Sequence, residues 1–136
     1  FSLGLVNFRL ITFIAAKHVP SSYCSHVYFK LLSDMIGREQ ALAVHRDYRK
    51  AGLTEQQVAM LAYAEQITID ASRINQSHID VLRSVGLSDL NIADIALAAS
   101  FRNFLSRYFD AVGAKAETEF LDSDLRIRDE LSVGGG

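Results

Sequence analysis

One proline in 136 residues, Pro20, and no run that alternates polar with apolar side chains leave this chain helices to fold into and little else. Stop and cap signals divide it. A first helix is predicted over Leu3–His18, apolar on most faces and therefore central. Pro20 ends it. Ser21 or Ser22 then caps a second helix that stops at Gly37. Cys24, Val27, Tyr28, Leu31, Leu32 and Met35 form its i, i+3, i+4 stripe, and His26 points away from them. A third helix covers Arg38–Ala51 and stops at Gly52. Thr54 with Gln57 makes a capping box for a fourth, to Thr68, and Ser77 with Asp80 another for a short fifth, to Gly86. Ser88 caps a long sixth helix to Val112. Its broad apolar face holds Leu97, Phe101, Phe104, Leu105, Tyr108, Phe109 and Val112. The expectation is an all-α bundle of about six helices in a single domain, residues 1–116. Residues 117–136 form a tail with a short helix near Ser123–Leu131, fraying at Gly134–Gly136.

Composition narrows the partners. A hydrophobic content of 49% supports a packed core and argues against disorder. A net charge of −2 argues against nucleic acid or an anionic membrane as the main partner. The apolar run Leu10–Ala16 is too short to span a bilayer and is followed by Lys17. No small-residue cleavage site follows it, so it is not read as a signal peptide. The chain opens on Phe1, inside an apolar run and without an initiating Met, so further residues are expected upstream. A single cysteine excludes an internal disulfide and a Cys-rich zinc site, and fits a reducing compartment, most simply the cytoplasm.

The chemistry available is sparse. His18, His26, His45 and His78 share no i, i+3 or i, i+4 spacing with one another or with Cys24, so no metal or other cofactor is expected. Glycine-rich phosphate loops and paired-carboxylate patterns are absent from the sequence. Leu82–Tyr108 could be drawn as a helix-turn-helix, but its second helix is aliphatic where base-reading residues would be needed. Cys24 is the best candidate. A thiol reacts as its thiolate, and a helix N-terminus is where that form is most easily favoured. The alternative for Cys24 is an inert, buried small hydrophobe.

Several segments, in order, carry a resemblance. Tyr23-Cys24 opens the second helix. Asp47-Tyr48-Arg49, Gly52-Leu53-Thr54 and Ala64-Glu65-Gln66-Ile67-Thr68 follow, and Asn103-Phe104-Leu105-Ser106-Arg107-Tyr108-Phe109-Asp110-Ala111-Val112-Gly113 closes the series. Over Leu5–Ala116 the chain resembles the AhpD-like family, which shares its fold with carboxymuconolactone decarboxylases, and within it the peroxidase-related branch. The resemblance implies an all-helical homo-oligomer and a thiol-dependent hydroperoxide reductase without metal or haem.

At the catalytic positions the chain departs from that pattern. The family carries Cys-x-x-Cys, a histidine one turn after the second cysteine, and a glutamate on the preceding helix. Cys24 matches the second cysteine and Tyr23 the aromatic position before it. Ser21 stands for the first cysteine, Tyr28 for the histidine and Arg9 for the glutamate. The implied partners are a small-molecule peroxide and an external thiol reductant, because Ser21 cannot form a disulfide. Arg9, if near Cys24, would favour a thiolate by its fixed charge. Two alternatives stand beside this reading: a non-catalytic helical oligomer, and a small-molecule lyase that uses no thiol.

Overall fold

Every residue of the segment Leu10–Ala16 is buried, although a helix at a protein surface would hide only one stripe. This segment belongs to α1 (Gly4–His18), and three helices enclose it: α2 (Ser22–Ile36), α4 (Glu55–Asp70) and α6 (Asp89–Ala111). The computed structural model describes residues 1–114, 122 and 124–133. Among these there is no strand, and the helices form one domain around α1. Three shorter helices complete it: α3 (Arg38–Asp47), α5 (Gln76–Ser84) and α7 (Leu125–Leu131). Phe13, Ile14, Leu32, Met60, Leu61 and Ile95 meet in the centre with at most 1% of their surfaces exposed.

The boundaries follow from local chemistry. Pro20, joined to Val19 by a cis peptide bond, separates α1 from α2. Gly37 at φ 93° ends α2 and starts α3, a backbone conformation that side chains bearing a Cβ avoid. Thr54 and Gln57 make the expected capping box. The helix continues past Thr68 to Asp70, because the Thr68 hydroxyl donates back to the Ala64 carbonyl instead of stopping the ladder. The third helix is shorter than expected. Asp47 accepts the amide of Arg49, which turns the chain into a 3₁₀ turn at Tyr48–Lys50.

The fifth helix begins earlier than its predicted box. Asn75 is the cap: its side chain accepts the Ser77 amide, and its own amide donates to His78 Nδ1. Asp80 instead accepts from Gln76 one turn back. The expected tail helix is present as α7. Its predicted start, Ser123, and the glycines 134–136 lie outside the described residues.

On the long helix α6 the broad apolar face named from the sequence lies mostly outward. Its buried side is Ile92, Ile95, Ala98, Ala99, Arg102 and Ser106. Leu97, Phe101, Phe104, Tyr108 and Val112 are all exposed by more than half. Small residues let α6 approach α1 closely, and the bulky side chains therefore face outward. His26 also differs. It lies off the Cys24 stripe, yet it is buried, because α7 covers that side of α2 and Ser132 Oγ sits 2.9 Å from its Nε2.

α7 is clasped to α3 before its start and near its end. Asp122 and Glu130 receive forked hydrogen bonds from Arg38 and Arg46 of α3, and Ile127 and Leu131 enter the core. His45, buried on α3, reaches the Glu130 carbonyl at 3.3 Å.

Candidate functional site

The α2 N-terminus is built by Ser21. Its backbone is extended, so its hydroxyl can turn onto the first turn of the helix and accept the Cys24 amide at 3.3 Å. Such a cap contributes about 1 kcal/mol. The same hydroxyl donates to Asp110 Oδ1 on α6 at 2.9 Å. One atom therefore caps α2 and ties it to α6. Cys24 follows in the first turn, fully buried and with its thiol free.

Two further contacts run along the same pair of helices. Tyr23 packs on Phe109 with ring centroids 5.3 Å apart. One turn beyond Cys24, the Tyr28 ring lies under the guanidinium of Arg102, whose carbon is 4.6 Å from the ring centroid. Ser21 meets Asp110 and Tyr28 meets Arg102, so α2 and α6 run antiparallel. Cys24 and Ser25 on one helix and Ser106 on the other lie on the intervening turns. Ser25 and Ser106 are both fully buried, and neither hydroxyl has a hydrogen-bond partner among the described residues.

The residues singled out from sequence are thus distributed unevenly. Ser21, Tyr23, Cys24 and Tyr28 share the first two turns of α2 and its cap. Arg9 is on α1, partly buried. Its Nε is enclosed without a partner, and its guanidinium makes no hydrogen bond or ion pair with any described residue. The charge seen against the α2 face is that of Arg102, which sequence reasoning passed over. Its signal was available: Ile92, Ile95, Ala99, Arg102 and Ser106 repeat at helical spacing, and a cation in that stripe breaks an otherwise small and apolar pattern.

A separate cavity of about 340 Å³ opens between α4 and α5. Arg49, Tyr63, Gln66, His78 and Val81 are among the residues that line it, and no residue of α2 takes part. Among the described residues no group of three or more His, Cys, Asp or Glu side chains could hold a metal ion, and no helix is long and apolar enough to cross a membrane.

No protein-family model and no curated protein matches the chain. Solved structures do. One is the alkylhydroperoxidase AhpD core of an uncharacterized peroxidase-related protein from Ralstonia eutropha, with a TM-score of 0.81 and 23% identity over 88% of this chain and 64% of that one. Another is an uncharacterized peroxidase-related protein from a Silicibacter species, with a TM-score of 0.84 and 25% identity over 88% of this chain and 63% of that one. The chain spans less than two thirds of the length of either. The helix order, the central α1 and these two likenesses together show that the chain has the AhpD-like fold.

Proposed function

We propose that this chain is a peroxidase-related redox protein that reduces small hydroperoxides through Cys24 alone, with an external thiol as reductant and no metal or other cofactor. The observation that supports this is the position of Cys24: a free thiol in the first turn of α2, in a fold shared with peroxidase-related proteins. The Cys24 thiolate attacks one peroxide oxygen. The O–O bond breaks, the leaving oxygen takes a proton as water or alcohol, and Cys24 becomes a sulfenic acid. A first external thiol displaces water to form a mixed disulfide, and a second releases Cys24 and leaves as the oxidised pair. Ser21 cannot serve as the internal resolving group. The cytoplasm is a compartment that supplies such thiols.

A second reading, a non-catalytic helical oligomer, draws on other observations. Cys24 has 0% of its surface exposed, and Ser21 and Tyr28 are engaged in contacts that hold α2 to α6. The outer stripe of α6 is apolar and exposed, the kind of surface that a second copy covers in a homo-oligomer.

Consumption of hydrogen peroxide, with dithiothreitol as reductant, separates the two. Turnover that disappears in Cys24→Ser supports the redox reading. Equal turnover in both proteins overturns it. No turnover, with Cys24 still a free thiol after peroxide treatment, favours the structural oligomer.

A further inference from the structure

The cavity between α4 and α5 exists because the side chains facing it are small. Ala59, Ala62, Tyr63 and Gln66 repeat at helical spacing along one face of α4, and His78, Val81 and Leu82 along the facing side of α5. The two alanines leave room that larger residues would fill, and about 340 Å³ stays open. Small-molecule sites are of this size, mostly apolar, with a few polar groups that fix orientation.

Three polar side chains on these walls hold hydrogen-bonding capacity in reserve. His78 Nδ1 accepts the Asn75 amide at 3.1 Å, so the neutral ring carries its proton on Nε2, as a donor. The Gln66 amide nitrogen donates to the Asp70 carbonyl at 2.7 Å, which orients that side chain and leaves Oε1 as an acceptor. The hydroxyl of Tyr63, a buried residue, can serve either way. None of these three groups has a partner among the described residues. Charge, in contrast, is already matched. Arg49 lies 3.9 Å from Glu65 Oε2 and 4.5 Å from the centre of the Tyr48 ring.

We propose that the α4–α5 cavity binds an uncharged, flat, bicyclic aromatic molecule with a cyclic amide edge. The ligand carbonyl accepts from His78 Nε2–H and its ring N–H donates to Gln66 Oε1. Its apolar body lies against Ala59, Ala62 and Val81. An edge with both a donor and an acceptor satisfies both wall groups, whereas a hydrocarbon would desolvate them unpaired. An anion would meet only a guanidinium that Glu65 already balances. No residue of α2 lines the cavity, so this site does not depend on whether Cys24 turns over peroxide.

The test uses the full chain at pH 7.5 with 2-quinolinone as probe. Coumarin, the same shape with a ring oxygen in place of the N–H, is the control. At tenfold excess over Kd, 2-quinolinone should raise the Tm by about 4 °C. Coumarin should bind about tenfold more weakly, because it leaves Gln66 Oε1 unpaired. In nitrogen-15 spectra the His78 ring and Gln66 side-chain resonances should move on titration, and those of His26, which lies against α7, should not. Ala62→Leu extends a half-buried side chain into the cavity at little cost to the helix and should abolish binding. The proposal is overturned if millimolar 2-quinolinone moves neither the Tm nor the His78 resonances, if coumarin binds as tightly, or if Ala62→Leu binds as the native chain does. If Ala62→Leu does not fold, the coumarin contrast and the His78 titration decide alone.

Discussion

The Ser21 hydroxyl donates to the Asp110 carboxylate at 2.9 Å while accepting the amide of Cys24 at 3.3 Å, so one atom both caps α2 and joins it to α6. Ser21→Ala should therefore cost more than an ordinary cap. A loss of about 2 kcal/mol, cap and charge-assisted bond together, is expected by urea denaturation. An unchanged midpoint would show that the joint contributes nothing.

Ser21→Cys restores a Cys-x-x-Cys spacing. Mild oxidation of that variant should remove a pair of hydrogens, read by mass spectrometry, as the introduced thiol closes a disulfide with Cys24. The variant should also lose part of the stability that Ser21 supplies, since a thiol is a weak acceptor for the helix amide. Failure to oxidise would count against the match of Ser21 to the first cysteine of the redox pair.

Burial makes Cys24 selective by size. It has 0% of its surface exposed, so a bulky aromatic disulfide reagent should label it only through local opening. Labelling in the folded protein should be at least about a hundredfold slower than in urea, given the usual free energies of such openings. Hydrogen peroxide, being far smaller, should oxidise it faster than cumene hydroperoxide does. Equal rates with the large reagent in both states would mean that the first turn of α2 is open.

Two buried histidines set an acid limit. Burial pushes His45 down from 6.5 to about 4, assisted by Lys17, and burial together with Arg128 lowers His26. Arg46 adds to the effect on His45, while Glu130 opposes it, as Asp122 does at His26. In the unfolded chain both titrate near 6.5. The stabilisation is thus complete above that pH and is lost as pH falls toward 4, with His45 accounting for about 3 kcal/mol across the full window. The Tm should fall between pH 6.5 and 5, and His45→Gln should flatten that slope. A Tm constant over this range would refute the assignment.

The exposed stripe of α6 should hold copies together. Leu97, Phe101 and Phe104 are each more than half exposed, and the last two rings stack at 6.3 Å. Light scattering should report more than one copy at micromolar concentration, and Phe104→Asp should shift the species toward monomer. A soluble monomer at every dilution would mean the stripe is not an interface between copies.

Helix periods, stops and caps were legible because they are local. Thr54, Ser88 and Gly37 act within a turn of themselves, and each does in the fold what the sequence indicates. The direction in which α6 faces was not legible. Both of its sides carry enough apolar surface to be buried, and the choice rests on Ala98 and Ala99 allowing close approach to a neighbour about 85 residues away. The α2 end of the site was visible as Ser21, Tyr23, Cys24 and Tyr28. Its other half, Arg102 and Asp110, is supplied across space by a helix pairing that no short spacing encodes.

The clasp of α7 has a consequence in time. Arg38 meets Asp122 across 84 residues of chain, and His26 meets Ser132 across 106. Contacts of such separation form late, since the intervening loop must close before they stabilise anything. During synthesis α2 therefore waits with one flank uncovered until α7 emerges. Through that interval the flank of α2 that carries His26 is open to water and chaperones that the finished protein shuts out.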